Sequence, residues 1–272
     1  MAASTGYFSD DSMIRVVNRE RVVAFAGART LLMQAAHPLA VIGLVGHSDA
    51  LEDPFPRLER TAEVMSTIAF GSRAEADHLT AAARSMHARV RGRLPTDVGP
   101  YKKGTPYAAD DPELLMWILF CIVDSGLVTF QTYVRRLTRD ERQAYWDDYK
   151  IVGKLFGLSA SRMPRSYDEL QDYKHEMLTG GRLHVNDWAR ERATGIVFNP
   201  PFPLYARPLV ETVNFITIAM LPKEIREQYG FAPLPPAIVR RAMVAAGAEY
   251  VKRVVVPLLP DRARFVPAAR AV

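Results

Sequence analysis

The stretch Asp111-Pro112-Glu113-Leu114-Leu115-Met116-Trp117-Ile118-Leu119-Phe120-Cys121-Ile122-Val123-Asp124-Ser125-Gly126-Leu127-Val128 reads as the start and body of a buried helix. Asp111 suits an N-cap, Pro112 the first helical position, and Glu113 the first turn, where an acid meets the positive end of the helix dipole. The apolar run from Leu114 to Val128 is interrupted by Asp124 and Ser125, which makes it too short and too polar for a membrane span. Inside a protein core the same run needs only a partner for Asp124, and Arg135, Arg136 or a tyrosine are candidates.

Helical signals extend in both directions. Upstream, Ser12 to Ala36 reads as one long helix opened by Asp10 and Asp11. Pro38 restarts the chain into the apolar segment Leu39 to Val45, and a helix follows from Pro54 and Pro56 to Phe70, stopped by Gly71. Another runs from Glu75 to Arg91, ended by Gly92 and Pro95. The Pro- and Gly-rich stretch from Leu94 to Asp110 is a loop, ordered by Tyr101 and Tyr107. Downstream, Thr138-Arg139-Asp140-Glu141 and Ser166-Tyr167-Asp168-Glu169 are capping boxes for helices reaching Leu155 and Leu178. An apolar helix follows over Leu204 to Met220, then a short amphipathic turn or helix from Pro222 to Gln228, and a last helix from Pro235 to about Val255. No segment alternates with period two. The expected fold is a single all-α domain of about ten helices.

Composition narrows the function. The chain has 272 residues, 49% hydrophobic and 24% charged, which is globular. Its 35 basic and 30 acidic residues leave a formal charge of +5, too little to argue for nucleic acid. A single cysteine, Cys121, excludes a disulfide framework, and six histidines leave metal binding to imidazole and carboxylate. There is no HExxH, Walker loop, GxSxG or dinucleotide fingerprint. No secretory leader is visible at the start, and the expected location is cytoplasmic.

Polar residues on apolar faces are the candidate site. Arg57 and Thr61 share a face with Val64 and Ile68, so Arg57 is paired, serves an anionic group, or snorkels to water. His87 borders the apolar face of Leu79, Ala83, Met86 and Val90. Arg84 and Arg91 lie three residues before and four after it, so the three form one strip along the helix. Positive neighbours favour the neutral, metal-binding imidazole; the plainer reading is a basic solvated face. His37 and His47 bracket the second apolar segment. His78, His175 and His184 lie in polar contexts.

Several of these residues carry a resemblance. Leu31-Leu-Met-Gln34-Ala-Ala-His37-Pro38, His47-Ser48, Pro56-Arg57-Leu58-Glu59-Arg60-Thr61, Phe70-Gly71, Met86-His87 to Arg91-Gly92, Asp111 to Trp117, and Leu221 to Gly230 occur in this order. Over roughly residues 15 to 250 the chain resembles the MpaB and rubber-oxygenase (latex-clearing protein) catalytic-domain family. The resemblance implies a globin-like all-α core holding a b-type haem. Rubber oxygenases cleave carbon–carbon double bonds of polyisoprene with O₂, and the fungal relative cleaves a farnesyl side chain oxidatively. By motif, His87 matches the proximal iron ligand, Arg84 and Arg91 match arginines beside it, and Arg57 and Thr61 match a required pair near the haem. A lysine that can reach iron in the rubber oxygenase is replaced here by Arg60, whose protonated guanidinium has no lone pair to give. The family's catalytic acid has no clear counterpart, although Glu52 and Glu63 are nearby. The expected function is a haem-dependent oxygenase using O₂ on an apolar, isoprenoid- or lipid-like substrate. The alternatives are a haem sensor or carrier without turnover, and a non-haem helical module that binds lipids or a partner.

Overall fold

The computed structural model describes residues 6–45, 55–198, 207–231, 247, 249 and 251–270. Helix α6, Pro112–Tyr133, is the axis of the molecule, opened as the sequence predicts by the Asp111 carboxylate accepting the Glu113 and Leu114 amides. Its 22 residues are long and apolar enough to cross a membrane by length and composition, more than the interrupted run suggests. Most of it is nevertheless enclosed by other helices. Its faces pack against α2 (Ala26–Ala35), the 3-10 turn Arg21–Phe25 and α7 (Arg139–Leu155), and Trp117, Phe120, Cys121 and Val123 are fully buried.

Asp124 sits within this apolar packing with partners other than those expected. Arg135 is occupied by Glu141. The Arg29 guanidinium of α2 donates to Asp124 Oδ2 at 2.6 Å and to Ser125 Oγ at 2.7 Å, and Lys174 of α8 (Tyr167–Thr179) donates to Oδ1 at 2.7 Å. Arg29 Nε also donates to the Met220 carbonyl at the end of α10 (Arg207–Met220), 2.9 Å away. One buried carboxylate thus ties α6 to α2 and α8 through charge-assisted bonds, and Arg29 carries the link on to α10.

The predicted helix from Ser12 to Ala36 is broken. Helix α1 covers Met13–Asn18, Glu20 is extended at φ −76° and ψ 117°, and the chain then passes through the 3-10 turn into α2. The cause lies far along the sequence: Glu20 bridges to Phe265, and its carboxylate is bound by Arg264. Helix α3, Pro38–Val45, and α4, Phe55–Phe70, follow the proline signals. Helix α5, Arg73–His87, ends four residues before the predicted Arg91, because Arg91–Arg93 (β1) pairs antiparallel with Pro106–Ala108 (β2). This hairpin replaces part of the expected loop, and Gly92 leaves room in it for the Tyr107 ring, whose hydroxyl lies 2.5 Å from where a Cβ would stand. An unpredicted helix α9, Asp187–Phe198, starts where the Asn186 side chain accepts the Ala189 amide. Helix α11 is Lys223–Gln228. Among the described residues the fold is all-α apart from one short hairpin. The expected helix from Pro235 and the segment holding His47 and Glu52 lie largely or wholly outside the described residues.

Candidate functional site

The candidate site is built on the α4–α5 corner. Ser72 caps α5 by a reciprocal box: its hydroxyl accepts the Glu75 amide at 3.3 Å, and its own amide donates to Glu75 Oε2 at 2.9 Å. Gly71 makes the turn possible, since a Cβ there would stand 2.8 Å from the Thr67 carbonyl oxygen. The two helices contain 16 and 15 residues, each about 23 Å long, and are joined by two residues. They contact each other across that turn; His87 is the last residue of α5, and Arg57 is the third of α4, near its start.

That end of α4 stands clear of the core. Ile68 and Ala69 are buried, Val64 to Thr67 are half-buried, and Glu59 to Glu63 are exposed. Thr61 is therefore exposed rather than facing the core, although its 100° periodicity with Val64 and Ile68 is intact. The helix extends past the body that would cover it. Arg57 is helical, but its side chain lies outside the described residues.

His87 is half-buried at the C-terminal end of α5. Its ring stacks on Phe156 at 6.2 Å between centroids and 25° between planes, and its Nδ1 is shielded from solvent. Arg84 donates to the carbonyl of Leu155, one of the last of α7, and so ties the end of α5 to the end of α7. Arg91 is not on the same strip: it begins β1, donating to the Ala88 carbonyl at 2.7 Å and to Asp110 Oδ2 at 2.6 Å. The three basic side chains are close in sequence, but the helix end divides Arg91 from Arg84 and His87. Apolar groups adjoin them. Met86 is 49% exposed, and a Cβ at Gly43 of α3 would touch Val90 and Tyr107 at 3.8 and 3.9 Å, so α3 packs against the chain immediately after His87.

The remaining histidines separate cleanly. His37 is 5% exposed, with Nε2 at 3.2 Å from the Tyr101 hydroxyl. Burial, with Arg182 nearby, pushes its pKa down to about 4, so it is neutral at ordinary pH. His78, His175 and His184 are exposed, as expected. The buried Arg29 escaped the sequence reading. Its signal was an arginine one turn before Leu32 and Met33, matching an equally isolated Asp124.

Among the described residues no group of three or more His, Cys, Asp or Glu side chains could hold a bare metal ion. A haem would ask less of the protein, since its iron takes four nitrogens from the porphyrin and needs one imidazole, which His87 has the chemistry to supply. Arg84 and Arg91 keep unused N–H donors for carboxylates, since a guanidinium has five. Cys121 is fully buried in α6, and burial pushes its thiol pKa well up, which removes it as a thiolate ligand. The residues present fit the group. A groove of about 670 Å³ runs along the opposite, Gly71 end of the corner, lined by Glu63, Phe70, Leu79 and Ala268 among others and not by His87.

Comparison with known proteins agrees with the motif reading. Residues 14–251 match the family model described as the catalytic domain of ER-bound oxygenase mpaB/B′ and rubber oxygenase. No curated protein and no solved structure matches the chain.

Proposed function

This chain belongs to the mpaB/rubber oxygenase catalytic-domain family, and from that premise we propose that it is a haem b-dependent oxygenase acting with O₂ on an apolar, isoprenoid- or lipid-like substrate. The observation that carries this reading is His87: one half-buried imidazole, stacked on Phe156, at the end of α5. Bound haem would supply the oxygen chemistry, and the protein would set its ligand, polarity and access.

Each group has a role suited to its chemistry. His87 would bind iron through one ring nitrogen, with Phe156 fixing the plane of the ring. Arg84 and Arg91 would neutralise propionates with the donors their present bonds leave over. Arg57 would offer N–H donors and Thr61 a hydroxyl from the first half of α4. Arg60 would stay off the iron, because guanidinium is protonated at any working pH. The apolar helix α3, held against Val90 and Tyr107, would wall the substrate and exclude water.

The test is the absorption spectrum of protein reconstituted with hemin. The expected result is a Soret band in the wild type that is lost, or falls at least tenfold in hemin affinity, in His87→Ala. A wild type that takes up no hemin overturns the reading. Substrate-dependent O₂ uptake with unsaturated isoprenoids and lipids then separates an oxygenase from a carrier, which would show none with any reductant.

A further inference from the structure

The segment Asp261–Arg270 lies beyond residue 251, where the family match ends, yet it returns to the part of the fold that carries the candidate site. Arg264 grips Glu20 with three bonds: Nε to the two carboxylate oxygens at 3.1 and 2.9 Å, and Nη2 to Oε1 at 2.6 Å. Arg21 Nε donates to the Phe265 carbonyl and the Val266 amide donates to the Arg19 carbonyl, both at 2.9 Å. The Phe265 ring lies between two guanidiniums, Arg19 at 5.1 Å and Arg264 at 4.9 Å. The last turn, Pro267–Arg270, then packs on α4, and Ala268 forms part of the groove along Phe70 and Leu79.

The attachment is asymmetric. Glu20 is 2% exposed, whereas no side chain described between Asp261 and Ala269 is fully buried. The segment docks through ion pairing, backbone bonds and cation–π contacts, with no apolar anchor of its own. Such a piece belongs to the low-stability end of a structure and can open without unfolding the rest. Opening would return the Glu20 carboxylate to water instead of stranding it in the core.

We propose that Asp261–Arg270 is a positioning strap, held by the Glu20–Arg264 pair, that sets the placement of α4 and with it Arg57 and Thr61. Its consequence for haem rests on the functional reading above; the strap itself does not. Arg264 and Glu20 act through α4 and are positioning residues.

Hydrogen exchange on the haem-free full-length protein tests the strap. Arg264→Gln is expected to raise amide exchange over residues 59–70 at least threefold, with α6 and α7 unchanged. Unchanged exchange in α4 overturns the strap. If Arg264→Gln also loses protection in α6, Phe265→Ala decides on the same measure, since it removes the sandwiched ring and leaves the ion pair in place. Hemin titration follows. A several-fold weaker affinity or a shifted Soret band in the variant supports the positioning role, and a wild-type affinity and spectrum overturns it. A wild type that binds no hemin defeats the functional reading, while the exchange result still decides the strap.

Discussion

Burial holds the His37 imidazole neutral, and this has a measurable cost in acid. The unfolded chain binds a proton near the ordinary value of 6.5, whereas the folded one waits until about 4. Above pH 6.5 the group contributes no pH dependence. As pH falls from 6.5 toward 4 the unfolded state gains the proton first, so stability declines, by about 3 kcal/mol over the whole interval. His37→Gln should lack this slope in urea midpoints measured across that range, and an unchanged slope would assign it to another group. The sequence marked His37 by its place before Pro38. It could not show the Tyr101 hydroxyl, 64 residues away, that occupies its Nε2. The same limit applies to His87: motif and spacing singled it out, but Phe156 comes from another helix. Arg29 was missed because a charged residue within a helical pattern reads as solvated until its buried partner is known.

Helices with chemical signals at their ends were legible. The Thr138 box and the Asp111 cap stand where the sequence put them, whereas at Ser166 only the N-cap half of the expected box forms, because Glu169 Oε2 accepts the Arg165 amide instead. Elements that depend on distant partners were not. The break at Glu20 is imposed by Phe265, and α5 stops at His87 because four residues later the chain enters a hairpin too short for period-two alternation to register. That early stop removed Arg91 from the predicted strip. Two predictions belong to this scale. Ser72→Ala removes one side of the capping box and should cost about 1 kcal/mol in thermal or urea unfolding. Gly71→Ala should cost more, about 1–3 kcal/mol, because its methyl group would meet the Thr67 carbonyl and backbone cannot easily give way. Equal stability of Gly71→Ala and wild type would show that the corner relaxes.

The whole molecule turns on the ion cluster around Asp124. Burial raises the carboxyl pKa, but Arg29 and Lys174 outweigh it, and the net shift is downward from 3.8. The cluster's contribution is therefore present above the unfolded value and is lost as pH falls through the lower folded one. Asp124→Asn leaves Arg29 buried without its counter-charge and should destabilise by about 3–5 kcal/mol at neutral pH, flattening that acid limb. A neutral effect would mean that Ser125 and the Met220 carbonyl satisfy Arg29 alone. The all-α class and the family were readable from caps and motifs, since both are local patterns. How one ion cluster links four helices was not, because its partners come from distant parts of the chain. The Glu20–Arg264 bond bears on time as well as place. Its residues are 244 apart in sequence, so it closes a loop that takes in most of the chain. A contact of such separation pays its closure entropy only after the intervening chain has folded. It should be absent from the folding transition state, so Arg264→Gln should speed unfolding and leave the refolding rate within about twofold in stopped-flow measurements.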